Sequence, residues 1–162
     1  MSEIKKLRLS WNEYFMKLAE MAASRSSCVR RQVGSVAVDT ARHLIGSGYN
    51  GTPSGATHCT AETCLRNVNH VKSGEQPELS RAIHSEQNLV AHCGRELRGS
   101  SVYVTNKPCT SCFKLLLAAG VTSIYWKDNY ADVVSDELMK QWGTITITAE
   151  GYYCFTQRHA NA

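Results

Sequence analysis

Four residues of this chain have the types and spacing of a hydrolytic metal site. His84 and Glu86 lie two apart in the stretch IHSEQN, and Cys109 and Cys112 form a C-x-x-C pair. One imidazole and two thiolates give three protein ligands for zinc, and a catalytic zinc keeps a fourth position for water. Zinc lowers the pKa of that water to about 7, and a nearby carboxylate can take and return protons. We therefore predict that His84, Cys109 and Cys112 bind a catalytic zinc and that Glu86 is the proton shuttle.

Each half of this pattern says little alone. A C-x-x-C pair also occurs in redox sites and in structural zinc half-sites, and an H-x-E triplet is common by chance. Two positions along a helix lie about half a turn apart, so His84 and Glu86 cannot share one helix face. The two halves point to one site only if both lie at helix ends on the same side of a sheet.

The surrounding sequence predicts elements that could position these residues. Apolar spacings of three and four residues predict helices, and runs of small and β-branched residues predict strands. The predicted helices are 10–24, 82–95, 109–120 and 131–143, and the predicted strands are 33–39, 43–50, 101–105, 121–126 and 144–148. This order is typical of an α/β fold with one mixed sheet between helices. Ligands of such folds gather where loops leave one edge of the sheet.

Two segments carry no clear periodicity. Residues 51–80 are polar and irregular, and their length exceeds the usual loop length of about 12–15 residues. We expect this segment to be functional, pinned by metal, or mobile. The tail, 149–162, is polar and is predicted to be loose. With no linker visible, we expect a single domain over 1–162.

Composition restricts the class of protein. The chain has 162 residues, 43% of them hydrophobic and 20% charged, and a net charge of +4, as expected of one soluble globular domain. No apolar run approaches the ~20 residues that span a bilayer, and no secretory signal is recognisable, so we expect a cytoplasmic protein. Seven cysteines, an odd number, favour metal binding or chemistry over a disulfide framework.

The order H-x-E followed by P-C-x-x-C is the described signature of zinc-dependent nucleobase deaminases. Longer stretches resemble the bacterial and phage type of deoxycytidylate (dCMP) deaminase within the cytidine deaminase superfamily. They lie between Leu9 and Trp126 and read LSWNEYFMKLAEMAASRSSCVRRQVGSVAV, GSGYNGTPSGATHC, RAIHSEQNLV, VYVTNKPCTSCFKLLLAAGV and IYW. The resemblance implies a three-layer α/β/α cytidine deaminase-like fold with a five-stranded mixed sheet, assembled as a homo-hexamer.

The activity implied by this resemblance is zinc-dependent hydrolysis of dCMP to dUMP and ammonia, supplying thymidylate synthesis. Activation by dCTP and inhibition by dTTP are implied as well. Alternative substrates are dCTP, a modified dCMP or a base within nucleic acid, and a non-enzymatic alternative is a zinc-stabilised regulatory protein. The intact Glu86 counts against that last alternative, and the lack of a long basic, aromatic-rich segment counts against nucleic acid. A phage-encoded chain would act in the host cytoplasm.

The resemblance also implies roles for residues that contact the substrate. Asn50 matches the asparagine that binds the sugar, although an Asn before a Gly also forms turns. Arg25, Ser26 and Ser27 lie where the family handles the 5′-phosphate, and their alternative is a helix cap with solvated charge. Trp126 falls where the family places an aromatic residue beside the base, and its alternative is a core tryptophan.

A second, structural zinc is implied by the remaining cysteines. Cys28 and Cys59 match two of its ligands, and Cys64 with His70 or His58 would complete four. The alternative is a set of buried or free thiols. Family members often have a cysteine where this chain has Ser80, and their H-A-E triplet is H-S-E here.

Nucleotide effectors would bind near the glycine-rich loop and the helix after His84. A triphosphate needs cations and backbone N–H donors. The predicted effector residues are Gly48, Asn50, Gly51, Gly55, His92 and Arg95. A plain polar helix face is the alternative for the last two.

Overall fold

The structure is a computed structural model that describes residues 8–130 and 132–158. Its helices are α1 (Trp11–Ala23), α2 (Leu65–Val68), α3 (Ser85–Cys93), α4 (Thr110–Ala118) and α5 (Val133–Trp142). Short 3₁₀ turns cover Pro77–Leu79 and Gly94–Leu97. Among these residues, no helix combines the length and apolar character needed to cross a bilayer.

One mixed sheet of six strands forms the centre. The strands are β1 (Gly34–Val38), β2 (Leu44–Tyr49), β3 (Ser101–Asn106), β4 (Ser123–Asp128), β5 (Gly143–Ile147) and β6 (Tyr153–Gln157). Their spatial order is β2-β1-β3-β4-β6-β5. Only β3 and β4 are parallel, and the other neighbours pair antiparallel.

The predicted α/β/α class is confirmed, but the predicted strand count of five is wrong. The sixth strand, β6, lies in the tail that we expected to be loose, and it pairs with both β4 and β5. Gly151, at φ +86°, lies in the tight turn between β5 and β6, where the left-handed backbone favours glycine. The last residues of the predicted tail, 159–162, lie outside the described residues, as do 1–7.

Successive side chains along the strands point to opposite faces of the sheet, so an apolar cluster forms on each face. Val36, Val38 and Tyr103 pack with Phe15, Met16 and Ala19 of α1 on one face. The opposite face carries a larger cluster, to which α3, α4 and α5 contribute. That cluster consists of Ala37, Leu89, Leu97, Val102, Val104, Phe113, Leu116, Val121, Ile124, Trp126, Met139 and Phe155. The helices on both faces are therefore held by apolar burial, the main favourable term in folding.

The parallel β3–β4 pair fixes where the chemistry can lie. Because α4 is the crossover between these strands, the loops after β3 and β4 leave the same edge of the sheet. Gly51, just after β2, exchanges two backbone hydrogen bonds with Ile83, at 2.9 and 3.1 Å. This bridge brings the residue before His84 to the sheet, and so brings the start of α3 towards that of α4.

Burial of β6 makes its contribution to stability testable. Phe155 is fully buried and meets Phe113 edge to face with ring centroids 4.9 Å apart. Phe155→Ala should lower the free energy of unfolding by about 3–5 kcal/mol, as for large core truncations. Urea unfolding of the purified variant would measure this loss. Ile147→Ala on β5 is the control and should change stability little, because Ile147 is 66% exposed. Equal losses of unfolding free energy in the two variants would show that Phe155 of β6 does not contribute to the core.

Candidate active site

His84 stands just outside helix α3. Its backbone is extended, with φ −70° and ψ 155°, and it is the N-cap of a helix that begins at Ser85. The His84 N–H donates to Oε1 of Gln87 at 2.8 Å, which satisfies one free donor of the helix end. Glu86 is the second residue of the helix. The spacing of two therefore works because the histidine leaves the helix path before the glutamate enters it.

Cys109 has the same position on α4. It is the N-cap, with φ −66° and ψ 164°, and Cys112 follows one turn later, buried. Nδ1 of His84 lies 3.6 Å from Sγ of Cys109 and 3.4 Å from Sγ of Cys112. The three donor atoms all lie within 4.8 Å of one another.

These separations match what zinc requires. Zn–S and Zn–N bonds of about 2.3 and 2.0–2.1 Å at a tetrahedral angle place nitrogen and sulfur about 3.6 Å apart. The donor set, one imidazole and two sulfurs, is also a typical set for zinc. The residues present therefore fit the metal predicted from the sequence, on both chemistry and distance.

The cluster favours negative charge on sulfur. Hydrogen bonding from Cys112, together with His84, lowers the pKa of Cys109 to about 4. The same contact with Cys109, together with burial, raises the pKa of Cys112. The pKa of His84 is raised, mainly because the His84 side chain hydrogen-bonds to Cys109. One thiolate is thus stabilised before any metal binds, and a divalent cation would favour the second.

Glu86 is a buried carboxyl beside this cluster. It is 4% exposed, and burial raises its pKa above the ordinary value. Ser85 is fully buried, and its hydroxyl donates to Oε2 of Glu86 at 2.9 Å. The serine of H-S-E therefore fits the site and holds one oxygen of the glutamate.

A cavity of about 850 Å³ opens onto His84, Glu86 and Cys109. It is lined by the cationic residues Arg30, Arg31, Arg66, Arg81 and Lys107 and by the acidic residues Glu75, Glu86 and Asp132. Asp132 already accepts hydrogen bonds from Thr110 and Ser135. The cavity is therefore suited to an anionic ligand. Apart from Glu86, these charged residues belong to no local motif, because the fold, and not local spacing, brings them together.

Asn50 borders this cavity, but its amide is committed to the protein. Its Oδ1 accepts from Val33 N at 2.8 Å and from the Ser26 hydroxyl at 2.6 Å, and its Nδ2 donates to Arg31 O at 2.8 Å. The amide of this buried residue thus links the end of β2 to the segment that precedes β1. Its predicted contact with a sugar stays a prediction.

The residues predicted to hold a phosphate are divided between two cavities. Arg25 is exposed and lines a second cavity, whereas Ser27 lines both. The hydroxyl of Ser26 is buried and occupied, because it donates towards the carbonyl and side-chain oxygens of Asn50 and accepts from Cys28 N. Three adjacent residues therefore do not form one anion site beside His84.

Trp126 lies in the core. It is 2% exposed, stacks on Tyr153 with ring centroids 5.5 Å apart, and does not line the catalytic cavity. The alternative assignment, a core tryptophan, describes its position. The alternation of β4 places Trp126 in the sheet's apolar face together with Ile124, and its predicted contact with a base stays a prediction. Tyr130 lines the cavity instead.

In the described part of the chain, no three of the residues predicted for the structural zinc have donor atoms within 4.8 Å of one another. Cys28, Cys59 and Cys64 line the catalytic cavity, whereas His70 is exposed and does not. Within 8–130 and 132–158, only His84, Cys109 and Cys112 bring three possible donors within 4.8 Å.

Other contacts involve the residues of the irregular loop. Nδ1 of His58 lies 3.1 Å from the hydroxyl oxygen of Thr52. The irregular loop is held in part by Arg30, which donates to Asn67 Oδ1 and Val71 O.

Most residues of the predicted effector site line the second cavity, of about 930 Å³. Gly48, Gly51, Gly55 and His92 line it, whereas Asn50 and Arg95 do not. At Gly48 a Cβ atom would come within 2.3 Å of the backbone oxygen of Ser85. This glycine is therefore required for α3 to pack closely on β2.

Comparisons with known proteins agree with this site. The family model described as "Cytidine and deoxycytidylate deaminase zinc-binding region" matches residues 9–127. The chain is 36% identical to ComE operon protein 2 of Bacillus subtilis over 140 residues, covering 84% of this chain and 69% of that protein. It is 39% identical to the deoxycytidylate deaminase of Mycobacterium phage D29 over 125 residues, covering 74% of this chain and 95% of the relative.

A solved structure shares the fold. The crystal structure of dCMP deaminase from the cyanophage S-TIM5 in complex with dCMP and dUMP aligns with a TM-score of 0.64 and 30% identity. The alignment covers 83% of this chain and 93% of the cyanophage chain. The chain therefore belongs to the cytidine and deoxycytidylate deaminase family, as the sequence motifs predicted.

The network around Asn50 makes a stability prediction. Asn50→Ala leaves the Val33 N–H and the Arg31 carbonyl without their side-chain partner, whereas the Ser26 hydroxyl keeps the backbone oxygen of Asn50 as its acceptor. Each group left unsatisfied costs about 1–3 kcal/mol. We expect a loss of about 2–4 kcal/mol in the free energy of unfolding, measured by urea unfolding. Asn69→Ala, which removes one hydrogen bond to Leu65 O from an exposed side chain, is the control. A loss no larger than the control's would show that the network is not stabilising.

Proposed function

We propose that this chain is a deaminase that hydrolyses dCMP to dUMP and ammonia. The observation that carries the proposal is the convergence of His84, Cys109 and Cys112 beside the buried carboxyl of Glu86, at the base of a cation-lined cavity. The relatives named deoxycytidylate deaminase support the choice of nucleotide.

Zinc would be held by Nδ1 of His84 and the two sulfurs, and when bound it would supply Lewis acidity to water. Glu86 lies buried next to this position, where its carboxylate can accept a proton from the attacking water. Glu86 passes this proton to N3 of the cytosine ring. It then takes a second proton from the hydroxyl that is now bonded to C4 and gives it to the leaving amine. Water is consumed, the C4–N bond breaks and ammonia leaves, so the base becomes uracil. Ser85 keeps one oxygen of Glu86 oriented, so the other is free for these transfers.

The charge of the cavity supports a monophosphate over a nucleoside. Arg30 is committed to Asn67 and Val71, whereas Arg31 and Arg81 are exposed at the cavity wall. Arg66 donates to Lys72 O through one nitrogen, and its Nε is buried without a described partner. Arg31, Arg66 and Arg81 are therefore the candidates for the 5′-phosphate, in place of Arg25.

Regulation and assembly are further parts of the proposal. The second cavity, with Arg25, His58, His92 and the glycines of its loop, could hold a triphosphate such as dCTP or dTTP through cations and backbone donors. The relationship to deoxycytidylate deaminases supports a homo-hexamer. The seven free thiols suit a reducing compartment such as the cytoplasm.

A substrate panel tests the proposed reaction. We expect ammonia release from dCMP with a kcat/KM at least tenfold above that for CMP, deoxycytidine, dCTP or single-stranded DNA. Glu86→Gln keeps size and polarity but removes the proton acceptor, so turnover should fall by several orders of magnitude with fold and zinc retained. Assays with and without dCTP and dTTP test regulation. If dCTP or DNA were the best substrate, or if Glu86→Gln stayed near wild-type activity, the corresponding assignment would be wrong.

Metal analysis tests the proposed zinc sites separately. We expect about two zinc ions per chain, one of which is lost in Cys112→Ser and the other in Cys28→Ser. The measurement is metal content per chain by mass spectrometry after exhaustive dialysis. One zinc per chain, retained in Cys28→Ser and lost in Cys112→Ser, would leave the catalytic site and eliminate the structural one.

A further inference from the structure

Lys107 is a buried cation that the proposed reaction does not use. Its side chain is 1% exposed, although it comes just after β3 and two residues before Cys109. Its ammonium lies 2.5 Å from Oδ1 of Asp136 on α5 and 3.5 Å from the carbonyl oxygen of Tyr130. The same ammonium lies 5.9 Å from the centroid of the Tyr130 ring.

A second set of contacts joins the same two segments. Asp132, the N-cap of α5, accepts from Ser135 N at 3.0 Å and from the backbone N–H and hydroxyl of Thr110 at 3.0 to 3.1 Å. The hydroxyl of Ser135 donates to the carbonyl of Pro108 at 3.4 Å. One carboxylate thus caps the starts of both α4 and α5. The segment that leads into Cys109 is fastened to the segment that carries Tyr130.

Tyr130, Asp132 and Lys107 all line the catalytic cavity. With its donors directed to Asp136 and Tyr130, the ammonium of Lys107 is engaged with the protein. A buried charge is retained only where it is paired, and its pairing fixes the geometry of both partners.

We propose that Lys107 is a positioning residue, whose ion pair with Asp136 fixes the cavity wall formed by Tyr130 and Asp132. The wall in turn sets how tightly the substrate is held. The kinetic part of this proposal rests on the proposed dCMP deaminase function, whereas the order of the wall does not.

The choice of variant follows from the unequal burial of the pair. Asp136 is 44% exposed, so it keeps its hydration when the lysine is removed. Lys107→Met keeps the length of the side chain and leaves no charge buried, so it should fold. Asp136→Asn keeps an acceptor for the ammonium and is a second, milder variant that decides the question if Lys107→Met fails to fold. Lys107→Arg is the rescue.

A surface ion pair supplies the control. Lys127 on β4 lies 2.6 Å from Glu20, and the two side chains are 49% and 40% exposed. Neither residue lines the catalytic cavity. Lys127→Met therefore makes the same chemical change at a pair that does not hold the cavity wall.

Hydrogen exchange of the zinc-loaded protein is the first measurement. In Lys107→Met, peptides covering residues 128–136 and the amide of Thr110 should exchange at least tenfold faster than in wild type. Asp136→Asn should show the same pattern at smaller amplitude, Lys107→Arg should restore slow exchange, and Lys127→Met should match wild type. Unchanged exchange over 128–136 in Lys107→Met, or in Asp136→Asn if the former does not fold, would overturn the proposal.

Steady-state kinetics is the second measurement. KM should rise about 5- to 20-fold in Lys107→Met, with kcat within threefold of wild type, and with the same rise for deoxycytidine as for dCMP. A rise confined to dCMP would mean that the ammonium acts on the phosphate by charge, and an unchanged KM would mean that the wall does not set binding; either overturns the kinetic part. If wild type fails to turn over dCMP, the proposed function fails and the exchange measurement still decides the role of Lys107.

Discussion

The site depends on two helices whose N-caps carry metal-ligating side chains. His84 and Cys109 both have extended backbones just before a helix begins, and their side chains meet at 3.6 Å. The positive end of a helix dipole favours a thiolate, so the same geometry that places Cys109 at the start of α4 also favours its charged form. The parallel β3–β4 pair contributes to this arrangement, because its crossover helix, α4, starts at the edge of the sheet to which α3 is brought.

Two opposing effects act on Glu86, and burial prevails. It lies in the first turn of α3, where the helix dipole stabilises a carboxylate by about 0.3–1 kcal/mol. The Ser85 hydroxyl and the nearby His84 also favour the charged form. The pKa is nevertheless raised, because desolvation of a carboxyl that is only 4% exposed outweighs these contributions. A carboxyl with this balance is suited to alternate between base and acid during one turnover.

The sequence predicted what is local and missed what is assembled over long distances. The catalytic cluster was predictable because H-x-E and C-x-x-C are short and each opens a periodic helix. Strand β6 was missed although TITIT and YYCFTQ flank a Gly-containing turn, which is a usable local signal for a hairpin. Its other neighbour in the sheet, β4, lies about 30 residues earlier in the chain, beyond the reach of a local pattern. Period-two alternation through Ile124 and Trp126 was a usable signal for a core tryptophan. The partners of Asn50 lie 17 to 24 residues earlier, beyond the reach of any local pattern.

The irregular loop, residues 51–80, is held in part by contacts that do not involve the side chains predicted to bind a second zinc. Arg30 donates to Asn67 and to Val71, and Asn67 N donates to Cys64 O at 2.9 Å, so hydrogen bonds help to hold the segment around Cys64. Val71 is buried, and Arg66 ties back to Lys72. These hydrogen bonds and the burial of Val71 therefore contribute to the path of the loop. None of these contacts involves His84, Cys109 or Cys112, so the proposed structural zinc and the catalytic cluster can be removed separately.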